Sequence, residues 1–371
     1  MESNTEGPLK GIQVVEFAGM GPAPFCGMLL ADLGADIIRV DRQEGLGTMD
    51  DPVIGRGRRS IALNLKDAAD REVALKLVER SHVLLEGFRP GVMERLGLGP
   101  VDCHRRNRGL VYVRLTGWGQ DAGAVTGKAG HDINYIAAAG VLGAIGDEKP
   151  VVPLNLLGDY AGGSLLACIG LLAGLRAAER GENEIVIDSG MRAGATYLMS
   201  YQYELAAKGL WKDARRANLL DGGTPFYDTY ACADGAWMAV GAIEEKFYRD
   251  LLAGLGLEDL LGKVDRHDPG QFAFIRKCLA DRFASQPRDF WVERFSGLDA
   301  CVSPILSMAE LVGTPALRER VEGMPEPLPA PGFSGPSSLP RPAPVVGGHT
   351  EEIRAALGAG ADFRAMESQN I

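Results

Sequence analysis

The chain has 371 residues, 46% of them hydrophobic, which is enough apolar surface for large cores and about two domains. Its 49 glycines are nearly twice the usual share of about 7%, but they fall far short of one third with a three-residue period, which excludes collagen. A formal net charge of −10 argues against a general nucleic-acid binder. Residues 1–115 hold 16 basic and 16 acidic side chains, so the whole negative balance lies on the rest of the chain. The basic residues Arg39, Arg42, Arg56, Arg58, Arg59 and Lys66 gather early, a pattern suited to an anionic small ligand or to ordinary ion pairs.

In chain order, Gly11 to Ala18 reads as a buried strand, followed by a glycine-rich turn at Gly19-Met20-Gly21-Pro22, an apolar helix at Phe25 to Leu33 and a second strand at Ile37 to Val40. A helix at Ala68 to Glu79 and strands at Val83 to Glu86 and Leu110 to Leu115 continue the alternation, which predicts a doubly wound parallel sheet with its ligand at the carboxyl ends of the strands. Asp132 to Ile145, Asp159 to Glu179 and Met191 to Lys208 read as helices, with a short strand at Ile185 to Asp188. Phe226 to Cys232 and Trp237 to Val240 alternate as a hairpin about Asp234-Gly235, and helices follow at Glu244 to Leu255 and Pro269 to Phe283. Pro325 to Pro344 holds eight of the 21 prolines and predicts an extended linker, with a closing helix at Thr350 to Leu357. The expected fold class is α/β: a Rossmann-like large domain plus a smaller α+β domain. The expected divisions are 1–190 for the first part of the large domain, 191–224 for a linker-helix region, 225–324 for the small domain, and 325–371 for the proline-rich return and the end of the large domain.

The six cysteines, none closer than 23 residues to the next, form no Cys-x-x-Cys unit. With no signal-peptide pattern at the start, they predict reduced thiols in a soluble, cytoplasmic protein. The longest apolar run, Tyr160 to Leu175, is shorter than the roughly 20 residues that span a bilayer, so no membrane partner is expected.

Gly19-x-Gly21 between a strand and a helix is part of a dinucleotide fingerprint, but position 24 is Pro where the third small residue belongs. The alternatives are a plain βα turn or another phosphate-bearing nucleotide, for which Arg39 and Arg42 at the end of the second strand are suited. His131, in Gly130-His-Asp-Ile-Asn-Tyr135, opens a helix. There the macrodipole favours the neutral imidazole, and free N–H groups face an oxyanion. A turn histidine beside a capping Asp132 is the structural alternative. Asp159 heads a glycine-rich helix among apolar residues that raise its pKa; a simple N-cap is the alternative. Glu244 follows a strand and opens a helix, where an acid is favourable in any case.

Taken together, these pieces resemble the family III CoA-transferase superfamily. The resemblance is carried by Gly7-Pro-Leu-Lys-Gly-Ile-Gln-Val-Val-Glu-Phe-Ala-Gly19, Leu30-Ala-Asp-Leu-Gly-Ala-Asp36, Gly87-Phe-Arg-Pro-Gly91 with Arg95-Leu-Gly-Leu-Gly-Pro100, and Leu115-Thr-Gly-Trp-Gly-Gln120. It continues through Gly130-His-Asp-Ile-Asn-Tyr135, Leu154-Asn-Leu-Leu-Gly-Asp159, Leu220-Asp-Gly-Gly-Thr-Pro-Phe-Tyr227 and Val240-Gly-Ala-Ile-Glu244. Within the superfamily the set is most similar to the α-methylacyl-CoA racemases, which add a histidine and a glutamate at the positions of His131 and Glu244.

The resemblance implies an isomerase of lipid metabolism. It would interconvert (2R)- and (2S)-2-methylacyl-CoA thioesters through an enolate, with His131 and Asp159 as the acid/base pair. It further implies that Glu244 orients His131, that the Asp132 N–H receives the enolate oxygen, and that Arg42, with Arg39, Lys66 and Arg89 as further candidates, binds CoA. No metal or separate cofactor is implied, since CoA enters with the substrate. The fold implied is an interlocked homodimer in which Glu244 reaches the site from the other chain. The alternatives are a transferase that uses Asp159 covalently, an inactive acyl-CoA binder, and a nicotinamide oxidoreductase.

Overall fold

Six strands form a parallel sheet: β1 (Gln13–Phe17), β2 (Asp36–Asp41), β3 (Arg58–Ala62), β4 (Val83–Glu86), β5 (Val111–Thr116) and β6 (Ile185–Gly190). Their order is β3-β2-β1-β4-β5-β6, the doubly wound arrangement expected from the alternation of strands and helices. The computed structural model describes residues 7–42, 51–319, 325–334 and 340–358. β1 and β4 are buried at every residue, as strands covered by helices on both faces must be. On one face Val15, Ile38, Leu84 and Tyr112 pack with the helix Ala68–Glu79 and with Ile353 of the closing helix Thr350–Gly358. On the other, Val14, Ile37, Leu85 and Val113 meet the helices Pro22–Asp32 and Leu166–Glu179.

β3 has no counterpart among the expected elements, because Arg58-Arg59-Ser60-Ile61-Ala62 reads as polar. The fold satisfies those charges internally. Arg58 Nε donates to Glu16 at 2.9 Å with both side chains fully buried, Arg56 pairs with Asp32, and Arg59 pairs with Asp36 at 2.7 Å. This part of the early basic cluster is therefore structural, the ion-pair alternative rather than the anion-ligand one. The outer edge of β3 is also paired: His349 N–H donates to Ser60 O at 3.0 Å and Gly57 N–H to Arg341 O at 2.8 Å, so the end of the chain returns to this sheet.

The apolar helix begins earlier than expected. A π-helical segment, Leu156–Leu165, runs directly into the α-helix Leu166–Glu179. The continuous helix is long and apolar enough to cross a membrane, unlike the shorter run seen in the sequence. Here it serves as a core helix: Ala167 and Leu171 are buried against the sheet, and Gly170 and Gly174 lie against Ile187 and Val111. At Gly162 it meets Gly194 of the helix Met191–Leu198 so closely that a Cβ on Gly194 would overlap the Gly162 carbonyl. The single helix expected from Met191 to Lys208 breaks at Met199 into Met191–Leu198 and Ser200–Ala207. The helix expected from Asp132 to Ile145 likewise ends at Ala138 and resumes at Val141–Ala144 beyond Gly140, whose φ is 83°.

Contacts divide the chain into two units, one of residues 1–141, 153–200 and 328–371, the other of residues 142–152 and 201–327. The second holds an antiparallel sheet, β7 (Tyr227–Ala231), β8 (Trp237–Gly241) and β9 (Val302–Ile305), in that spatial order. The hairpin turns at Asp234-Gly235 as expected. The helices Glu245–Leu255, Phe272–Phe283 and Arg288–Phe295 cover one face through Leu251, Leu279, Phe283 and Trp291. The proline-rich segment begins as a strand, β11 (Pro325–Pro327), paired with β10 (Leu317–Glu319). Residues 335–339 of that segment lie outside the described residues.

Candidate active site

Between β1 and β4 the sheet reverses direction of winding, and the loops at the carboxyl ends diverge there to leave a crevice. An open cleft of about 620 Å³ occupies it. The turn after β1 supplies Gly19 and Gly21, Arg42 follows β2 directly, the loop after β4 supplies Arg89, and the loop after β5 supplies Trp118. His131 and Asp159 line the same cleft.

His131 is exposed and sits at the N-cap of the helix Asp132–Ala138, in extended backbone. Its N–H is held by Asn134 Oδ1 at 3.0 Å, so the imidazole is carried on a closed first turn. Tyr135 fixes the approach. Its hydroxyl donates to Gly130 O at 2.6 Å, and its ring packs edge-to-face on Trp118, 5.0 Å between centroids. The same ring occupies the space a side chain at Gly117 or Gly130 would need, which explains two of the excess glycines.

Asp159 is not a helix cap. Asn155 stands at the N-cap position of the π segment without a side-chain capping bond, and Asp159 lies in its first turn, half-buried. Its Oδ2 accepts from Asn155 Nδ2 at 3.2 Å and stands above Gly21, where φ is 76° and a Cβ would touch the carboxylate at 3.4 Å. Burial raises the Asp159 pKa, the Asn155 hydrogen bond lowers it, the neighbouring Asp132 charge raises it and His131 lowers it; the net shift is upward. A carboxyl so placed retains its proton at higher pH than an ordinary aspartate, as an acid catalyst requires.

Asp132 links the two. It is buried, and its Oδ1 accepts from both Gly158 N–H and Asp159 N–H at 2.7 Å, while Oδ2 has no hydrogen-bond partner among the described residues. The carboxylate beside His131 thus holds the turn that carries Asp159. As the first helical residue, Asp132 has a backbone N–H with no partner inside its helix. The sequence suggested the backbone role of Asp132 and gave no sign of the clamp, because nothing local signals a contact 27 residues away.

The remaining candidates separate. Arg42 and Arg89 are exposed and line the cleft. Arg39 is buried and its Nε donates to Asp41 Oδ2 at 2.9 Å, so its guanidinium is turned away from the cleft. Lys66 is exposed on the loop after β3 and is not among the cleft residues. Lys128, absent from the sequence reading, supplies a third cation to the cleft, and its carbonyl accepts from Trp118 Nε1 at 3.1 Å. Gly127-Lys128-Ala129-Gly130 was the available signal: a cation in a small-residue loop just before His131.

Glu244 belongs to the second unit. It is the exposed N-cap of the helix Glu245–Leu255, and no side-chain capping bond holds it. Buried Arg266 braces its approach by donating to the carbonyls of Ala242 and Ile243, with its guanidinium 4.7 Å from the ring centres of both Phe226 and Tyr248. Nothing in the sequence pointed to Arg266.

Fold and site together define a doubly wound α/β protein whose switch-point cleft joins an imidazole to a carboxyl of raised pKa. Residues 9–350 match the family model for CoA-transferase family III. The chain belongs to that family. It is 44% identical over 362 residues to the α-methylacyl-CoA racemases of mouse and human, covering 94% of this chain and 93% of each relative. Its fold is shared with a CAIB/BAIF family protein from Brucella suis, with a TM-score of 0.80, 24% identity and coverage of 95% of this chain and 99% of the other.

Proposed function

We propose that the chain is an α-methylacyl-CoA racemase. It interconverts (2R)- and (2S)-2-methylacyl-CoA thioesters by removing the α-proton and returning one on the opposite face. The observation that carries this reading is the placing of His131 and Asp159 in one cleft, coupled through Asp132. In one direction neutral His131 takes the α-proton and protonated Asp159 donates; in the other the roles reverse. The thioester carbonyl becomes an enolate oxygen, for which the Asp132 N–H is the donor. Arg42, Arg89 and Lys128 meet the phosphates of CoA, and that remote attachment holds the reacting carbon between the two groups. Arg39 is assigned no part, because it is committed to Asp41. Lys66 is left out because it lies off the cleft. CoA arrives with the substrate, and the proton transfers use no other cofactor.

The reading extends to a homodimer in which the partner's Glu244 orients His131 and stabilises its cation. The helix Ser200–Ala207 supports it, since none of its side chains is buried within one chain and Tyr201 and Tyr203 are both more than half exposed. Six free thiols, with Cys26 and Cys168 buried 3.2 Å apart, fit a reducing, cytoplasmic setting.

The test is deuterium incorporation at the α-carbon of each pure 2-methylacyl-CoA epimer. Wild type exchanges both, and His131→Ala and Asp159→Asn each lose roughly 10²–10⁴-fold in exchange rate. No exchange by wild type across fatty and sterol-type thioesters, or a hydroxylamine-sensitive acyl adduct on Asp159, overturns the racemase in favour of a binder or a transferase.

A further inference from the structure

Glu86 ends β4 almost fully buried, two residues before the cleft loop begins to carry Phe88 and Arg89, and it has no part in the proton transfers above. In the sheet register it stands beside Arg114 of β5, and Arg114 stands beside Asp188 of β6. An acid, a base and an acid therefore form one cross-strand row at the carboxyl ends of three neighbouring strands. Each end of the row is tied to a wall of the cleft. Glu86 Oε2 accepts from Phe88 N–H at 2.7 Å, in the loop that bears Arg89. Arg114 Nη1 donates to Gln120 at 3.2 Å, and Gln120 N–H donates to Asp188 Oδ2 at 2.9 Å, in the loop that bears Trp118. Arg114 also pairs with Glu94 of the short helix Val92–Arg95, just beyond Arg89. Its Nε has no hydrogen bond among the described residues and faces Glu86 Oε1 at 4.0 Å.

We propose that Glu86 is a positioning residue for the cleft: through Phe88 N–H and Arg114 it holds the loop carrying Arg89 in register with the loop carrying Trp118. The physical reason is the cost of order. The Gly87–Gly91 segment contains glycine at both ends, and a CoA phosphate bound by Arg89 otherwise has to fix that segment on binding. A buried acceptor that fixes Phe88 N–H beforehand removes part of this cost. The groups facing Glu86 are Arg114 and Tyr112 from β5, Glu94 from the short helix, and Asp188 from β6. Burial together with the two acids pushes its carboxyl up to about 7, against the pull of Arg114 and the Phe88 N–H. A charge held at that disadvantage in one row with its counter-ion is consistent with a role beyond packing, since an apolar residue would fill the site with less penalty.

The proposal rests on the reading of this cleft as a CoA-thioester site, and its test separates the two. Amide hydrogen exchange reports the loop directly, CoA binding by calorimetry reports the site, and steady-state exchange kinetics divide KM from kcat. In Glu86→Ala, Phe88 exchanges at least about tenfold faster, the CoA Kd and KM rise about tenfold, and kcat stays within about threefold. Glu86→Gln keeps an oxygen for Phe88 N–H and recovers Kd to within about threefold of wild type. Arg114→Gln cuts the same row from its middle and loosens Gln120 with the same loss of CoA affinity. Unchanged Phe88 protection and Kd in Glu86→Ala overturn the proposal, as does a Gln variant as impaired as the Ala variant, or a fall in kcat with KM unchanged. Wild type that binds no CoA overturns the functional reading instead, and Phe88 exchange then decides the positioning role alone.

Discussion

At the scale of single residues, Asp132 makes opposite demands on its two natural replacements. Asparagine keeps an oxygen for the N–H groups of Gly158 and Asp159 but removes a charge that raises the Asp159 pKa. Asp132→Asn is therefore expected to keep its stability and to move the limb of the pH–rate profile that reports Asp159 to lower pH. Asp132→Ala strands two N–H groups, at a cost of about 1–3 kcal/mol for each one left buried without an acceptor, and it frees the Asp159 turn. Its kcat is expected to fall by at least about tenfold, since small displacements of a catalytic group are costly. Glu86 gives a prediction in stability. Its folded pKa is raised from 4.5 to about 7, so the native state binds more protons than the unfolded chain between those values. Stability from this group is fully present below pH 4.5 and is lost as pH rises through 7. Glu86→Gln removes the dependence, so its unfolding free energy relative to wild type climbs by up to roughly 3 kcal/mol from pH 4.5 to 8. Chemical denaturation across that range measures the slope, and any constant cost of fitting the amide leaves the slope unaffected.

At the scale of elements, β1, β2, β4 and β5 were legible because buried parallel strands are largely apolar runs, the edge strand β6 from its short run Ile185-Val-Ile187, and the glycine turn after β1 from its composition. β3 was not, because Arg58 and Arg59 look like surface until Glu16 and Asp36 arrive from other elements to neutralise them. The π-helical turn that carries Asp159 was also hidden, since local propensity gives no signature for a widened helix. It changes the reading of Asp159 from a cap to a side chain over Gly21. The crossing at Gly162 and Gly194 makes an element-scale test. Gly194→Ala drives a methyl into the Gly162 carbonyl and is expected to destabilise by about 1–3 kcal/mol or more, seen as a lower Tm. Gly143→Ala, inside the helix Val141–Ala144 with nothing within 4 Å of the new methyl, is expected instead to raise stability by about 0.5–1 kcal/mol.

For the whole molecule, the decisive prediction concerns whether His131 and Glu244 act from different chains. They lie in different units of one chain, and the proposed dimer completes each site with the partner's Glu244. Co-expressed His131→Ala and Glu244→Ala chains then form heterodimers with one intact site, and about a quarter of all sites recover if the chains assort at random. Each variant alone stays impaired, and the absence of recovery in the mixture places Glu244 in the same chain as its His131. Sedimentation of wild type supplies the companion measurement, with a dimer expected. The sequence by itself determined the class of fold and the family, because hydrophobic period and short motifs are local properties of the chain. Only the tertiary structure decided which charges were free to act. Arg56, Arg58 and Arg59 were drawn into ion pairs by carboxylates distant in sequence, Arg39 was taken by the nearby Asp41, Arg42 and Arg89 were left facing the cleft, and Asp132 was brought beside the turn of Asp159. The reason is that burying a charge demands a partner, and the chain order of the residues does not say which partner the fold will bring.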